Sequence, residues 1–451
     1  MSLLLPHLVL VLGMLLVLPA AVLLLQDRRT PQSVLAWLLF FLVVPYLAIP
    51  TFLLLGVRKG RRRFPDFSGP VTAEQTLPAT AQRMVGLGAP AAVAGNRLRL
   101  LERPETAHAA LVALVASAAQ RIDATFYALE DDAVGRDFLA RLAQRARDGV
   151  VVRLLLDRIG SFHAPQAELA VLRAAGGQVR FHSPFVHLPV RRHLNLRNHR
   201  KMLIADGAQV FTGGMNVGGH YLAAEPAEDV FDDLAVWLEG PCAAGYAAVF
   251  AADWAEAGGG VTPTAQTSAP VPADGPALLQ LVPSGPDVAH DTVHDALVDL
   301  IHRAGRRVWI ASPYVVPTPP LAGALSAAAR AGVDVCLLVP ERSNQRAADL
   351  ARGGFLRALA KDGCRILRVA HMLHAKAGVV DDTGWVGSAN FDIRSMLINY
   401  ETVLFMHDAQ SVATLSAWFE ARLGTAQAGV PAASLPRRLV EGVFRLGAPV
   451  L

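Results

Sequence analysis

Cysteine is nearly missing from this chain. The three in 451 residues, Cys242, Cys336 and Cys364, share no metal-ligand spacing, and Cys336 and Cys364 fall in runs that read as buried strands. That argues against a disulfide framework and against a cysteine-built metal centre. Charge is thin as well. The formal net charge is only +4, and much of the excess is packed into Arg58, Lys59, Arg61, Arg62 and Arg63. No strongly basic, aromatic-laced groove is left over, so nucleic acid is not an expected partner.

Charge is absent altogether from Ser33 to Val57, and Leu3 to Leu25 is apolar except for His7. Roughly 20 apolar residues cross a bilayer, so the two stretches, joined only by QDRRTPQ, predict a transmembrane helical hairpin. Pro6, Pro19, Pro45 and Pro50 interrupt it, which bilayer helices tolerate. A cleaved signal peptide fits poorly: there is no basic n-region, and a second span follows at once. The basic cluster at residues 58–63 outweighs Arg28 and Arg29 in the connecting loop. The positive-inside rule then puts the remainder of the chain on the cytoplasmic side of a cell membrane, with anionic lipid headgroups as partners of the cluster.

What the chain does have is one pattern written twice. His199, Lys201 and Asp206 lie in NHRKMLIAD, and His374, Lys376 and Asp381 in LHAKAGVVD. Each copy runs into a small-residue turn that ends in asparagine, TGGMN at Asn216 and GSAN at Asn390. On an extended strand residues i and i+2 share a face, so each histidine points the same way as its lysine. Two imidazoles, two ammonium groups and two carboxamides suit a phosphodiester. The cations and amides, Lys201, Lys376, Asn216 and Asn390, hold its oxygens and the charge of a pentacoordinate transition state. One imidazole attacks phosphorus and the other protonates the departing oxygen. Asp206 and Asp381 stand an odd number of residues beyond the lysine, face away on a regular strand, and are expected to brace the fold.

A histidine in this role needs its other ring nitrogen held by a carboxylate. Glu401 in NYETVLF and Asp233 in FDDLAVWLEGP follow the two asparagine turns. The expectation from chain order is that Glu401 orients His374 and Asp233 orients His199. His371 reads as a loop residue.

The organisation is duplicated too. Arg121–Leu129, Gly149–Asp157 and Gly177–Phe181 read as strands and Gly135–Asp148 as an amphipathic helix. The order returns with Arg306–Tyr314, Leu321–Ala331, Gly332–Pro340 and Gly363–Val369, each series preceding its own His-x-Lys strand. Alternation of this kind predicts an α/β fold of two similar lobes. The expected divisions are 1–63 for the hairpin and basic segment, 64–105 for a connector, 106–260 for the first lobe, 261–276 for a linker, 277–424 for the second lobe and 425–451 for a tail.

The doubled motif resembles the phospholipase D superfamily, and the strings NLRNHRKM, GSANFDIRS and NYE resemble its bacterial cardiolipin synthases, from the apolar amino terminus to about residue 424. The resemblance implies a mixed sheet flanked by helices in each lobe and one active site shared by both. It implies that His199, Lys201, Asp206, His374, Lys376 and Asp381 form the catalytic set, with a phosphohistidine intermediate resolved by a second alcohol and no metal or other cofactor. Phosphatidylglycerol is the implied donor and acceptor. Spacing does not decide which histidine attacks; superfamily order gives that step to His199. Ser388 is a further phosphate contact, unmatched in the first turn, where Gly214 stands. A phospholipase D hydrolase would use the same residues and release phosphatidic acid.

Overall fold

The structure, a computed structural model, describes residues 17–25 apart from 19 and 23, and residues 31–52, 67, 77–182, 195–225, 229–260 and 272–447. The chain divides into two compact units. One holds Met1–Arg62 with Ser183–Leu196, and the other holds Arg63–His182 with Arg197–Pro449.

In the first unit the chain is helical over Pro31–Val43 and again over Pro45–Thr51. Val44 falls out of helical geometry at φ −140° and ψ 65°, because proline disfavours the α conformation in the residue before it and offers no N–H of its own. Ala20 and Leu24 bury themselves with Phe41, Ala48, Ile49 and Phe52, so the two apolar stretches pack on each other as a hairpin would. Among the described residues no helix is long and apolar enough to cross a membrane, and residues 53–57 of the second expected span lie outside the described residues. Most of the first expected span lies outside the described residues.

The second unit carries both His-x-Lys copies. Its seven-stranded sheet runs, edge to edge, Arg97–Leu101, Ala235–Glu239, Gln209–Gly213, Met202–Ala205, Arg121–Phe126, Val151–Asp157 and Gln178–His182. Its nine-stranded sheet repeats that order with Gly275–Ser284, Glu401–Met406, Thr383–Gly387, Ala377–Val380, Arg307–Ala311, Asp334–Pro340 and Arg365–Val369, and adds Val93–Gly95 and Gln427–Ala428 at its two edges. Along the seven strands common to both, the first four pairings are antiparallel and the last two parallel. The duplication therefore extends to strand direction.

Side-chain alternation assigns the layers. Met202 and Ile204 face a central core that also receives Leu338, Val379, Leu404 and the helices Ala243–Glu256 and Ala409–Leu423 through Phe250, Trp254, Trp418 and Phe419. Leu203 and Ala205 face the other way, onto helices Pro104–Ser117, Ala133–Arg147 and Gln166–Ala174. Helices Thr292–Arg303, Pro319–Arg330 and Arg346–Lys361 cover the far face of the second sheet. Both faces of each sheet are thus buried, which is why its strands are nearly continuous apolar runs rather than alternating ones. Residues 93–101 correct the boundary drawn from composition: the supposed connector supplies one strand to each sheet. The expected tail likewise contains a strand, Gln427–Ala428, and a helix, Leu435–Leu446. Most of the expected linker, residues 261–271, lies outside the described residues.

Candidate active site

Each His-x-Lys segment lies just ahead of a fully buried strand, and the lobes meet there backbone to backbone. His199 N–H donates to Tyr400 O at 2.9 Å and Tyr400 N–H donates to Arg197 O at 2.9 Å. On the other side His374 N–H donates to Asp232 O at 2.7 Å and Asp232 N–H donates to Met372 O at 2.9 Å. Each histidine is therefore stitched to the residue that precedes the other lobe's acid.

The consequence overturns the pairing expected from chain order. Nδ1 of His199 lies 3.0 Å from both Glu401 oxygens, across 202 residues of sequence. Nδ1 of His374 lies 2.5 Å from Asp233 Oδ2, 141 residues away. The acids are crossed between lobes. Within one sheet the acid's strand and the histidine's strand flank a third strand, which sets their axes about 10 Å apart. That is too far for a hydrogen bond, so only the opposite lobe can supply the carboxylate.

His374 and both acids are buried and His199 is partly so, with side-chain exposures of 12% for His199, 6% for His374 and 0% for both acids. Burial pushes both imidazoles down to about 4, against the pull of Glu401 on one and, after the opposing charge of Lys376, of Asp233 on the other. Two rings of opposite charge are thus not built into the protein; both favour the neutral form. Although burial opposes it, the imidazole each acid faces and the neighbouring lysines keep Glu401 and Asp233 below the usual carboxylate range. Burial also lowers Lys201 to about 7 and Lys376 to about 8. Lys376 lowers His199, and Lys201 lowers His374, so the two pairs lie within one electrostatic neighbourhood. Lys201 Nζ donates to His199 O at 2.7 Å, while Lys376 Nζ sits 2.8 and 3.0 Å from the His374 ring nitrogens.

The asparagine turns sit beside this centre through matching tethers. A parallel bridge joins Val217 to Leu129 in the first lobe, and a short parallel ladder joins Phe391–Asp392 to Val315–Val316 in the second. Asn216 Oδ1 accepts from Ala128 N–H at 3.1 Å, and its side chain also meets Tyr221. Asn390 bonds the Asp392 carboxylate, while its own buried carbonyl has no partner. A carboxamide has two N–H donors, so these bonds leave each asparagine a donor for an anion.

Ser388 does something other than expected. Its hydroxyl donates to Glu401 Oε2 at 2.5 Å and accepts from Thr402 N–H at 3.0 Å. It braces the carboxylate behind His199 instead of facing phosphate. The first turn has no such hydroxyl for a steric reason: a Cβ on Gly214 would fall 2.2 Å from Asp233 Oδ1.

Asp206 and Asp381 brace the fold, as their odd spacing indicates. Both adopt left-handed backbone, φ 50° and 48°. Asp206 accepts from the N–H groups of Ala119, Gln120 and Arg121 at 2.7 to 2.8 Å. Asp381 does the same with Gly305, Arg306 and Arg307 at 2.8 to 3.0 Å. These contacts tie the far end of each His-x-Lys strand to its neighbour and do not touch the histidines. His371 is an exposed partner of Asp232 at 3.1 Å, which is itself held by Arg422.

Sequence reasoning missed a second tier. Arg200, with a fully buried side chain, reaches Asp253 at 2.5 Å and Asp287 at 2.8 Å and donates to Glu401 O at 3.2 Å. Asn198 spans Asp157 and Asp253, at 3.0 and 2.8 Å. Tyr127 stands edge-on to His199 at 4.9 Å between centroids, and Tyr221 edge-on to His374 at 5.2 Å. The available signal was an arginine between histidine and lysine: on a strand it must point into the fold, where a guanidinium requires acids. Among the described residues no three His, Cys, Asp or Glu side chains are grouped to hold a metal ion.

Two lobes of identical strand order, each presenting His-x-Lys to the other's carboxylate, define a phospholipase D-like enzyme of the duplicated kind. The family model described as "Cardiolipin synthase, PLD-like domain" matches residues 111–254 and 297–423. Cardiolipin synthase A of Pseudomonas syringae is 32% identical over 96% of this chain and 95% of its own, and that of Pseudomonas fluorescens 32% identical over 84% of each. The chain belongs to the cardiolipin synthase family of phospholipase D-like proteins. A crystal structure of a phosphatidylserine synthase from Haemophilus influenzae superposes over 83% of this chain and all of its own with a TM-score of 0.64 at 16% identity, which shows the fold.

Proposed function

We propose that this protein is a membrane-bound phosphatidyltransferase that condenses two phosphatidylglycerol molecules into cardiolipin and glycerol. The observation that carries it is the crossed pair of carboxylate-backed histidines. A hydrogen bond from Nδ1–H to each acid turns the Nε2 lone pair toward the chemistry, and on His374 that nitrogen is met by Lys376 Nζ at 3.0 Å.

His199 Nε2 attacks phosphorus of the donor, and the bond to the glycerol oxygen breaks. His374 carries the proton that this oxygen takes, a step typically worth about 10²–10⁴-fold. A bound diester brings the negative charge that a neutral His374 lacks as a reason to protonate, and it draws Lys201 and Lys376, lowered to about 7 and 8, into their charged forms. In the second half His374, now neutral, takes the proton of the second lipid's hydroxyl, whose oxygen displaces His199 from phosphorus. One phosphodiester replaces another, so no nucleotide is needed. Lys201, Lys376, Asn216 and Asn390 hold the non-bridging oxygens. Residues 3–25 and 33–57 anchor the enzyme as a hairpin, with the catalytic lobes in the cytoplasm.

Incubation of the solubilised protein with labelled phosphatidylglycerol, without nucleotide, tests this. Diphosphatidyl lipid with equimolar glycerol is the expected outcome. Phosphatidic acid alone would make the enzyme a hydrolase. A phosphatidyl p-nitrophenol donor assigns the nucleophile: covalent phosphatidyl-enzyme forms in His374→Ala and is absent from His199→Ala.

A further inference from the structure

Helix Leu435–Leu446 lies on the protein the wrong way round. A surface helix of a soluble domain turns its apolar stripe inward. Here Leu435, Leu439 and Val443, spaced by one turn each, are 72%, 65% and 67% exposed, and Val440 is 44% exposed. The polar side is the one that docks. Glu441 is only 4% exposed, salt-bridged to Arg357 of helix Arg346–Lys361 and to Arg437 at 2.9 Å. The seat is built for that carboxylate, because a Cβ on Gly353 would stand 2.6 Å from Glu441 Oε1. Phe444 packs with Val316, Ala351, Phe355 and Ile393, and Arg445 lies over the Phe355 ring at 5.9 Å.

We infer that this helix is an interfacial membrane contact, its outward face immersed in the acyl boundary of an anionic bilayer. Charge selects the occupant. The helix has one acidic residue, Glu441, and it is turned inward and paired with two arginines. Arg437 lies at one border of the apolar arc and Arg438 and Arg445 at the other, the layout of a helix lying in the headgroup plane with its cations snorkelling to phosphates. A second copy packed on the same face would oppose arginine to arginine. The location serves the chemistry: Phe444 packs on the same Val316–Ala351 cluster as Ile393, three residues beyond Asn390. The contact therefore sets a lipid surface beside the second lobe's phosphate turn. The link to catalysis rests on the lipid-transfer reading, whereas the contact itself does not.

The test uses the full chain in vesicles of phosphatidylglycerol and phosphatidylcholine, with Leu439→Cys carrying a nitroxide; the native cysteines are all buried. Power-saturation measurements are expected to show greater accessibility to oxygen than to a water-soluble nickel relaxant. They are also expected to show less insertion in Arg437→Gln with Arg438→Gln or in vesicles of phosphatidylcholine alone. A label as open to the nickel agent as in detergent-free buffer overturns the inference. So does dipolar broadening between labels, which would mark a second copy. Leu439→Asp with Val443→Asp, conservative for folding at exposed positions, is expected to lower turnover on vesicles about tenfold while sparing a short-chain monomeric donor. Equal loss on both donors overturns the link to catalysis. Absence of activity on every lipid would count against the transferase reading and leave the nitroxide result standing.

Discussion

The two halves of the site do the same job with unlike parts. Behind His199 stands Glu401, gripped by Ser388; behind His374 stands Asp233, one methylene shorter, with Gly214 opposite it. The pairs of residues are matched within each side. A glutamate reaches further and leaves room for a serine that steadies it, while the aspartate needs the space that only glycine leaves. Because the acid and its turn belong to the lobe opposite the histidine they serve, neither lobe contains a complete half-site. Duplication supplied the frame, and the site arose only where the copies meet.

Replacing either histidine by alanine should have the largest effect, a fall in cardiolipin formation of at least about 10³-fold, because nucleophile and acid act as a unit. Product chromatography at matched protein concentration measures it. Next come Glu401→Gln and Asp233→Asn, each expected to lower turnover by about 10²–10⁴-fold by losing control of the ring tautomer. If one were far milder than the other, the two halves would differ in function as well as in construction.

Gly214→Ser sharpens the comparison sterically. It should displace the Asp233 carboxylate and cost about 10–100-fold in turnover, whereas Ser388→Gly, which removes the hydroxyl's bonds to Glu401 and from Thr402 N–H, should cost about tenfold. Asp206→Asn makes the complementary case, with unchanged turnover per folded molecule and about 2 kcal/mol less stability by denaturant unfolding.

Acid should loosen the centre in a defined window. Both histidines are driven from the ordinary 6.5 to about 4, so between those values the unfolded chain binds more protons. The stability contribution is complete above pH 6.5 and is lost as pH falls toward 4. Urea unfolding at intervals across that range should steepen with acid in the native protein and flatten in the His199→Asn, His374→Asn double variant.

Much of this was legible because it is periodic. The i, i+2 spacing of His199 with Lys201, repeated by His374 with Lys376, and the alternation of strand and helix survive in a bare sequence. The odd offset of Asp206 and Asp381 also told their role. Three things were illegible. Arg97–Leu101 looked like connector because an edge strand shows a weaker apolar run. Ser388 looked like a phosphate ligand because a turn hydroxyl does not announce which oxygen it meets. The acids were assigned within their own lobes because chain order ranks near partners above far ones, while backbone bonds such as His199 to Tyr400 had already committed each histidine to the other lobe.

The crossing is open to one direct measurement, nitrogen NMR of ¹⁵N-histidine in the solubilised protein. Glu401→Gln should shift the ring nitrogens of His199 and leave those of His374 in place, and Asp233→Asn should do the reverse. A Glu401→Gln variant that moved His374 and spared His199 would contradict the account.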